Sequence, residues 1–520
     1  MEARTDSRQL RCALRALILA GAALAASGCL PGDQAKGNKT EPAAAFGFAP
    51  GNGGDGVNRS GKRDPLLEDI ADAAQKLYDS PASTASRKSG QETSVYATAT
   101  TNDAAPAAGT IGAPLIEDIP DIPANVALDR FFSALAKVEA RQPGKIVTIL
   151  HLGDSHIAAD RFSGDLREQF QSRFGDAGRG MLMPGLYLAD GVKFDRGGEW
   201  QAALSTGSVP GPYGLTGAKL TAQSGDAWLR LTTKNEPFAW CEITLQSGPE
   251  HGTVQIGLDG EVKQAPMKAP ASSWRNIRID RKARELLIRP QGDGRVTVHS
   301  ISIGTDKPGL RYVNLGLPGA TAITPLSWQR DYVAGDLNRL APDLIVFSYG
   351  TDESFQDQLN LGDYEAKVSA SIARLRQIAP QAALLIIGPP DVARMPKFAS
   401  GTGRASDVCR ALSAAERPDY IKRVNASDPR LARWHPPLNL DAVRTTLRRV
   451  AAAHQAFFWD WSKLMGGSCG VHAWVHSKPA LATNDHIHLT EEGSKRSARI
   501  LFRELMNAYD AFSRTAAAGK

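Results

Sequence analysis

The run Ile146-Val147-Thr148-Ile149-Leu150-His151-Leu152 is dominated by β-branched and apolar side chains and stops at Gly153. Seven residues of that kind predict a buried strand with a glycine at its end. Similar short runs return late in the chain, at Tyr312–Leu315, Asp343–Phe347, Ala383–Ile387 and Ala456–Trp459. Between them, apolar residues recur at helical spacing over Leu326–Leu340, Tyr364–Ile378 and Leu440–His454, and Glu491–Phe512 reads as the last helix. Two helices flank the first strand. Val126, Leu128, Phe131, Phe132, Leu135 and Val138 define one, and Leu166, Phe170 and Phe174 lie on one face of a second over Phe162–Phe174. Strands alternating with helices predict a parallel α/β sheet with right-handed crossovers. Pattern alone does not set the strand order.

From about 191 to 308 the period changes. Ala227–Leu231, Trp240–Leu245, Thr253–Ile256 and Val296–Ile301 alternate apolar with polar residues, and Gly, Pro and Asp separate them. That predicts an antiparallel β-sandwich inserted between the first and second α/β strands. Trp200, Tyr213, Trp228 and Trp240 have two readings: a sugar-stacking face, or core aromatics. Gly175, Gly178 and Gly180 mark a loop near the edge of the parallel sheet.

The first part of the chain shows neither period. Residues 29–113 are rich in Ala, Gly, Ser, Thr, Asn and Pro and bury too little apolar area to offset chain entropy, so a linker is expected, with one short amphipathic helix over Leu66–Tyr78. Residues 1–28 have the form of a secretory signal, with Arg4, Arg8, Arg11 and Arg15 before or within an apolar stretch from Ala13 to Ala26. Five segments follow: a leader (1–28), a linker (29–113), the first α/β part (114–190), the β insert (191–308) and the second α/β part (309–520).

Composition narrows the function classes. The 520 residues are enough for two folded domains. The formal net charge of +6 is modest; the leader holds four arginines against Glu2 and Asp6, so its removal takes away +2 and leaves +4. No long basic run remains to bind nucleic acid. Among five cysteines, Cys12 leaves with the leader. An exported chain permits a disulfide, for which Cys409 and Cys469, both in the second α/β part, are the favoured pair. No Cys-x-x-Cys spacing supports zinc, and neither metal nor cofactor is expected.

The candidate chemistry lies at two distant turns. Gly153-Asp154-Ser155 ends the first strand just before helical sequence resumes near Arg161. A hydroxyl there sits at the carboxyl edge of the sheet, where open α/β folds place ligands. Asp485-His486-Ile487-His488 precedes the last helix. An Asp three residues before a His can orient it as the base for a nucleophilic serine. Either motif alone is an ordinary turn.

Together with the blocks Asn314-Leu315-Gly316-Leu317-Pro318-Gly319-Ala320-Thr321 and Ser348-Tyr349-Gly350-Thr351-Asp352-Glu353, they resemble the SGNH (GDSL-type) hydrolases over roughly residues 120–190 and 309–510. The resemblance implies a flavodoxin-like, three-layer α/β fold with five strands in the order 2-1-3-4-5. It implies Ser155 as nucleophile, His488 as base and Asp485 as its orienting carboxylate. The backbone N–H groups of Ser155 and Gly319 would form the oxyanion hole, whose third donor is an asparagine in the family. That position is Asp352 here. Three outcomes stand open for it: a protonated donor, a site whose missing donor is supplied elsewhere, or an impaired enzyme that binds glycans. His156 and His486 are read as supporting the site and not as its base.

The β insert is similar to the carbohydrate-binding-like domain of bacterial peptidoglycan O-acetylesterases in this superfamily. The substrate implied is an O-acylated envelope polysaccharide, with an acetyltransferase as a variant reading. Ala26-Ser27-Gly28-Cys29 resembles a bacterial lipobox, which implies acylation of Cys29 and an envelope location tethered by lipid alone. Leu30 lacks the inner-membrane retention signal, which favours the outer membrane. Plain secretion is the alternative.

Overall fold

The computed structural model describes residues 121–186, 189–400 and 408–518. The leader, Cys29, the linker and its short helix lie outside the described residues. No helix among the described residues is long and apolar enough to cross a membrane.

One sheet is parallel and five-stranded. It holds β1 (Ile146–Gly153), β13 (Gly309–Gly316), β14 (Leu344–Ser348), β15 (Ala383–Gly388) and β16 (Phe457–Asp460), in the order β13-β1-β14-β15-β16. That is the expected 2-1-3-4-5 arrangement. The pleat sends alternate residues of β1 to opposite faces, and both faces are buried. Val147 and Ile149 pack with α1 (Asp129–Glu139), α3 (Phe162–Phe174) and α9 (Glu491–Ala518) through Phe131, Phe132, Leu166, Phe170, Leu501 and Leu505. Leu150 and Leu152 pack the other way, with Val333, Leu337, Val368, Ile372, Val443 and Leu447 of α4 (Arg330–Leu340), α6 (Leu361–Ile378) and α7 (Leu440–Ala453). Burial on both faces explains why β1 reads as an apolar run rather than an alternating one.

Two antiparallel sheets follow β1. The first contains β10 (Ser273–Ile279), β7 (Trp240–Ser247), β12 (Val296–Gly304), β5 (Ala218–Ala222) and β4 (Gln201–Leu204), with β2 (Gly180–Leu182) also paired to β12. The second runs β3 (Val192–Gly197), β6 (Trp228–Thr233), β11 (Glu285–Pro290), β8 (Thr253–Leu258) and β9 (Glu261–Pro266). Their shared core of Leu220, Ile243, Leu245, Ile256, Ile288 and Ile301 is continuous with that of the α/β layers.

Two details differ from the sequence reading, and a third decides between alternatives it left open. Gly180 opens a strand instead of belonging to a loop, so the antiparallel sheet begins before residue 191. Its Cα approaches the Val313 and Arg311 side chains so closely that a Cβ would lie 2.6 Å from Val313. Second, β12 is buried at every position, although its sequence alternates. Its second face is covered because Trp274 of β10 stacks on His299 of β12 and on Tyr332 of α4, at centroid distances of 4.0 and 3.9 Å. Arg339 of α4 also pairs with Glu242 of β7 at 2.9 Å. Third, the four ring residues, for which two readings stood open, form no sugar-stacking face. Trp200 and Tyr213 are buried, while the half-buried rings of Trp228 and Trp240 are covered by Arg230 at 5.0 Å and Arg278 at 4.2 Å. A cation over a ring face occupies the surface a sugar would use.

Candidate active site

The turn after β1 is built for close approach. Asp154 caps the short helix α2 (Ser155–Ala158), its carboxylate accepting the His156 N–H at 3.0 Å. A Cβ on Gly153 would lie 2.3 Å from Ile157, and one on the neighbouring Gly316 would lie 2.2 Å from the Ala158 nitrogen. The two glycines therefore let α2 fold back onto the strand ends, where Ser155 is half-buried at the carboxyl edge. As the first residue of α2, Ser155 has a backbone N–H with no protein acceptor among the described residues.

The loop before α9 (Glu491–Ala518) reaches the same edge. Ser155 Oγ is 3.0 Å from His488 Nε2, across 333 residues of chain. His488 Nδ1 lies 2.6 Å from Asp485 Oδ2. A carboxylate only accepts, so Nδ1 carries the ring proton and Nε2 presents a lone pair to the serine hydroxyl. Asp485 is itself fixed: Oδ1 accepts from Thr483 Oγ1 at 2.5 Å, Ile487 N at 2.9 Å and His488 N at 3.0 Å. Burial works to raise its pKa, but the hydrogen bond and charge of His488 and the Thr483 and Ile487 donors hold it well below the usual carboxylate range. Asp485 therefore stays ionised around neutral pH.

Gly319 lies on the loop after β13 at φ +73°, exposed, with nothing within 4 Å of where a Cβ would sit. Its N–H also finds no protein acceptor among the described residues. Asp352 is half-buried on α5 (Thr351–Ser354), which follows β14. Glu353 beside it is fully buried, accepts the Ala322 N–H at 2.7 Å and meets Tyr364 Oη at 3.0 Å, so it ties α5 to the Gly319 loop. Burial pushes its pKa up to about 8.

His156 forms a wall of the site, its ring centroid 5.3 Å from that of His488. Its Nδ1 faces Asp154 Oδ1 at 3.2 Å and its Nε2 faces the Ile487 carbonyl at 3.0 Å. Both partners only accept, so both nitrogens must donate and the ring is an imidazolium. Burial opposes that charge, but Asp154, the Ile487 carbonyl and the more distant Asp352 carboxylate outweigh it and raise the pKa. Asp352 therefore lies within electrostatic range of a buried cation, which offsets its charge. His486 is held differently: burial pushes its pKa down to about 4, and its ring stacks on Trp434 at 3.6 Å.

Sequence reasoning missed the brace beneath this edge. Asp160, at φ +49°, is buried and accepts from Ser163 Oγ at 2.8 Å, Arg167 Nη1 at 3.1 Å, Arg179 Nη2 at 2.5 Å and Asp190 N at 2.9 Å. Asn314 Nδ2 lies 2.8 Å from Asp160 Oδ1 and 2.8 Å from the Ile157 carbonyl, while Asn314 Oδ1 accepts the Gly316 N–H at 2.8 Å. One network thus sets the serine helix against the Gly319 loop. Near the His488 loop, Cys409 and Cys469 form the expected disulfide, with Cα atoms 5.6 Å apart.

Residues 302–496 match the GDSL-like Lipase/Acylhydrolase family and carry four of the five parallel strands, so this stretch is an SGNH/GDSL-type acylhydrolase domain. The matched stretch starts within β12, near the end of the insert, and so leaves out Ser155. A solved structure described as a peptidoglycan O-acetylesterase in action is 24% identical, with a TM-score of 0.60, over 75% of this chain and 99% of that one. A family two carbohydrate esterase from Cellvibrio japonicus is 12% identical with a TM-score of 0.22, over 60% of this chain and 98% of that one. An acetyl xylan esterase is 13% identical with a TM-score of 0.24, over 38% and 81%. No curated protein sequence matches the chain.

Proposed function

We propose that this chain is a serine esterase that removes O-acetyl groups from a cell-envelope polysaccharide such as peptidoglycan. The observation that carries the reading is the Ser155–His488–Asp485 relay, with Oγ–Nε2 at 3.0 Å and Nδ1–Oδ2 at 2.6 Å. Ser155 Oγ would attack the ester carbonyl as His488 Nε2 takes its proton. The Ser155 and Gly319 N–H groups would receive the oxyanion. As the sugar oxygen leaves, His488 returns the proton to it; water then attacks the acetyl-serine with His488 again as base, and the proton passes to Ser155 Oγ as its bond to the acetyl group breaks and acetic acid is released. Cys29 would hold the enzyme at the envelope through a lipid. Support for the polysaccharide comes from the solved peptidoglycan O-acetylesterase, whose fold this chain shares over 99% of that protein's length. Its test is acetate release from O-acetylated peptidoglycan compared with acetylated xylan. Release from the former at least about tenfold faster in kcat/KM, close to 1.4 kcal/mol in transition-state binding, is expected. Equal or reversed rates would sink the peptidoglycan assignment.

Asp352 favours a second reading, an impaired enzyme that binds glycans on the same scaffold. An ionised carboxylate donates nothing to an oxyanion, and one lost donor costs about a hundred- to a thousandfold in rate. The His156 imidazolium supports a working site instead. Asp352→Asn is expected to raise kcat roughly tenfold or more on p-nitrophenyl acetate, by restoring a donor. A fall of that size would instead mark Asp352 as a proton carrier or protonated donor.

A further inference from the structure

Three histidines outside the relay converge. His472 and His476 stand four residues apart at the end of α8 (Gly470–Val475), on one face, and His486 comes from the loop carrying Asp485 and His488. One ring nitrogen from each lies within 4.8 Å of the other two. His472 Nδ1 is already 2.9 Å from His486 Nε2. A tetrahedral zinc site, with Zn–N near 2.0–2.1 Å, places its nitrogens about 3.4 Å apart, so small side-chain rotations bring all three into range.

The surroundings are those of a ligand set. His486 Nδ1 faces the Asn484 carbonyl at 3.1 Å, which fixes the proton there and leaves Nε2 with its lone pair toward the cluster. Its ring is buried and locked against Trp434. α8 is anchored at its N-terminal end: Cys469 at its N-cap is in the disulfide, and Val471 N donates to Asp391 Oδ2 at 3.0 Å. His476 is exposed, so the fourth coordination position opens to solvent.

We infer that His472, His476 and His486 bind a divalent transition-metal ion of the zinc class, tying α8 to the loop that carries the proposed base. The ion is a brace, since none of the three imidazoles touches Ser155 or His488 and the proposed reaction needs no metal. The inference does not rest on the esterase reading.

Tag-free full-length protein, stripped with a chelator and titrated with Zn2+ by calorimetry, is expected to take up one ion per chain at neutral pH. His476→Ala, at an exposed position outside the relay, should weaken binding at least about tenfold. Co2+ should give the intense visible bands of a tetrahedral site in the wild type and lose them in His472→Ala. Metal-free His476→Ala should hydrolyse p-nitrophenyl acetate like metal-free wild type, which separates loss of the ion from loss of the fold. Absence of saturable one-to-one binding, or equal affinity in wild type and both variants, would overturn the assignment.

Discussion

Ser155→Ala is expected to lower p-nitrophenyl acetate hydrolysis by about 10⁴-fold or more, to the level of the oxyanion donors and binding alone. The reason is local. His488 Nε2 is the hydroxyl's hydrogen-bond partner, and Asp485, ionised and held by three further donors, keeps the ring in the tautomer that can accept. Removing Oγ leaves no atom to form the acyl-enzyme, whereas the fold loses little, because Ser155 is half-buried at a helix start that tolerates alanine. Asp485→Asn should cost a comparable factor by reversing the tautomer preference. Matching circular dichroism and melting temperatures would show that these losses are chemical. Undiminished hydrolysis in Ser155→Ala would remove Ser155 from the reaction, and the serine-esterase reading with it.

The parts of this site that were legible in the sequence are those set by local pattern. The apolar run before Gly153 marks a strand buried on both faces, and Gly-Asp-Ser carries its own logic, since glycine allows the close return and aspartate caps the helix. The i, i+3 spacing of Asp485 and His488 places both groups on one turn. Strand order and the convergence of Ser155 with His488 came from the resemblance, because pairing across more than three hundred residues leaves no trace in local periodicity. The same limit hid β2, whose three residues gain strand character from pairing with β12, about 120 positions downstream. The arginine over Trp240 was invisible for a related reason: Arg278 reaches it from the neighbouring strand β10. Asp160 had no signal either, since Arg167, Arg179 and Asn314 meet it from 7, 19 and 154 residues away. His472-x-x-x-His476 did have one, the metal-ligand spacing of a helix face, but its third member lies on another element.

Asp160 is where the largest loss of stability is expected. Its carboxylate sits between two buried guanidiniums, and although burial works to raise its pKa, Arg179 and Arg167 with the Asn314 and Asp190 donors pull it down to about 2. Arg179 shows the strain from the other side, burial pushing its pKa down to about 10. Asp160→Ala removes the shared anion and leaves both cations in the interior. Arg167 keeps only the largely exposed Asp190 carboxylate, and Arg179 keeps two backbone carbonyls. Breaking a buried ion pair in this way costs about 3–5 kcal/mol, which should appear in urea unfolding as a lower midpoint with unchanged slope. Asp160→Asn keeps an oxygen for Ser163 and Asn314 and should lose less. Because Asn314 joins Asp160 to Gly316 and the Gly319 loop, the Asn variant should also lose kcat more than KM, as the oxyanion donors shift from the serine. A drop in stability with kcat untouched would make the network a scaffold alone, without a part in positioning the donors.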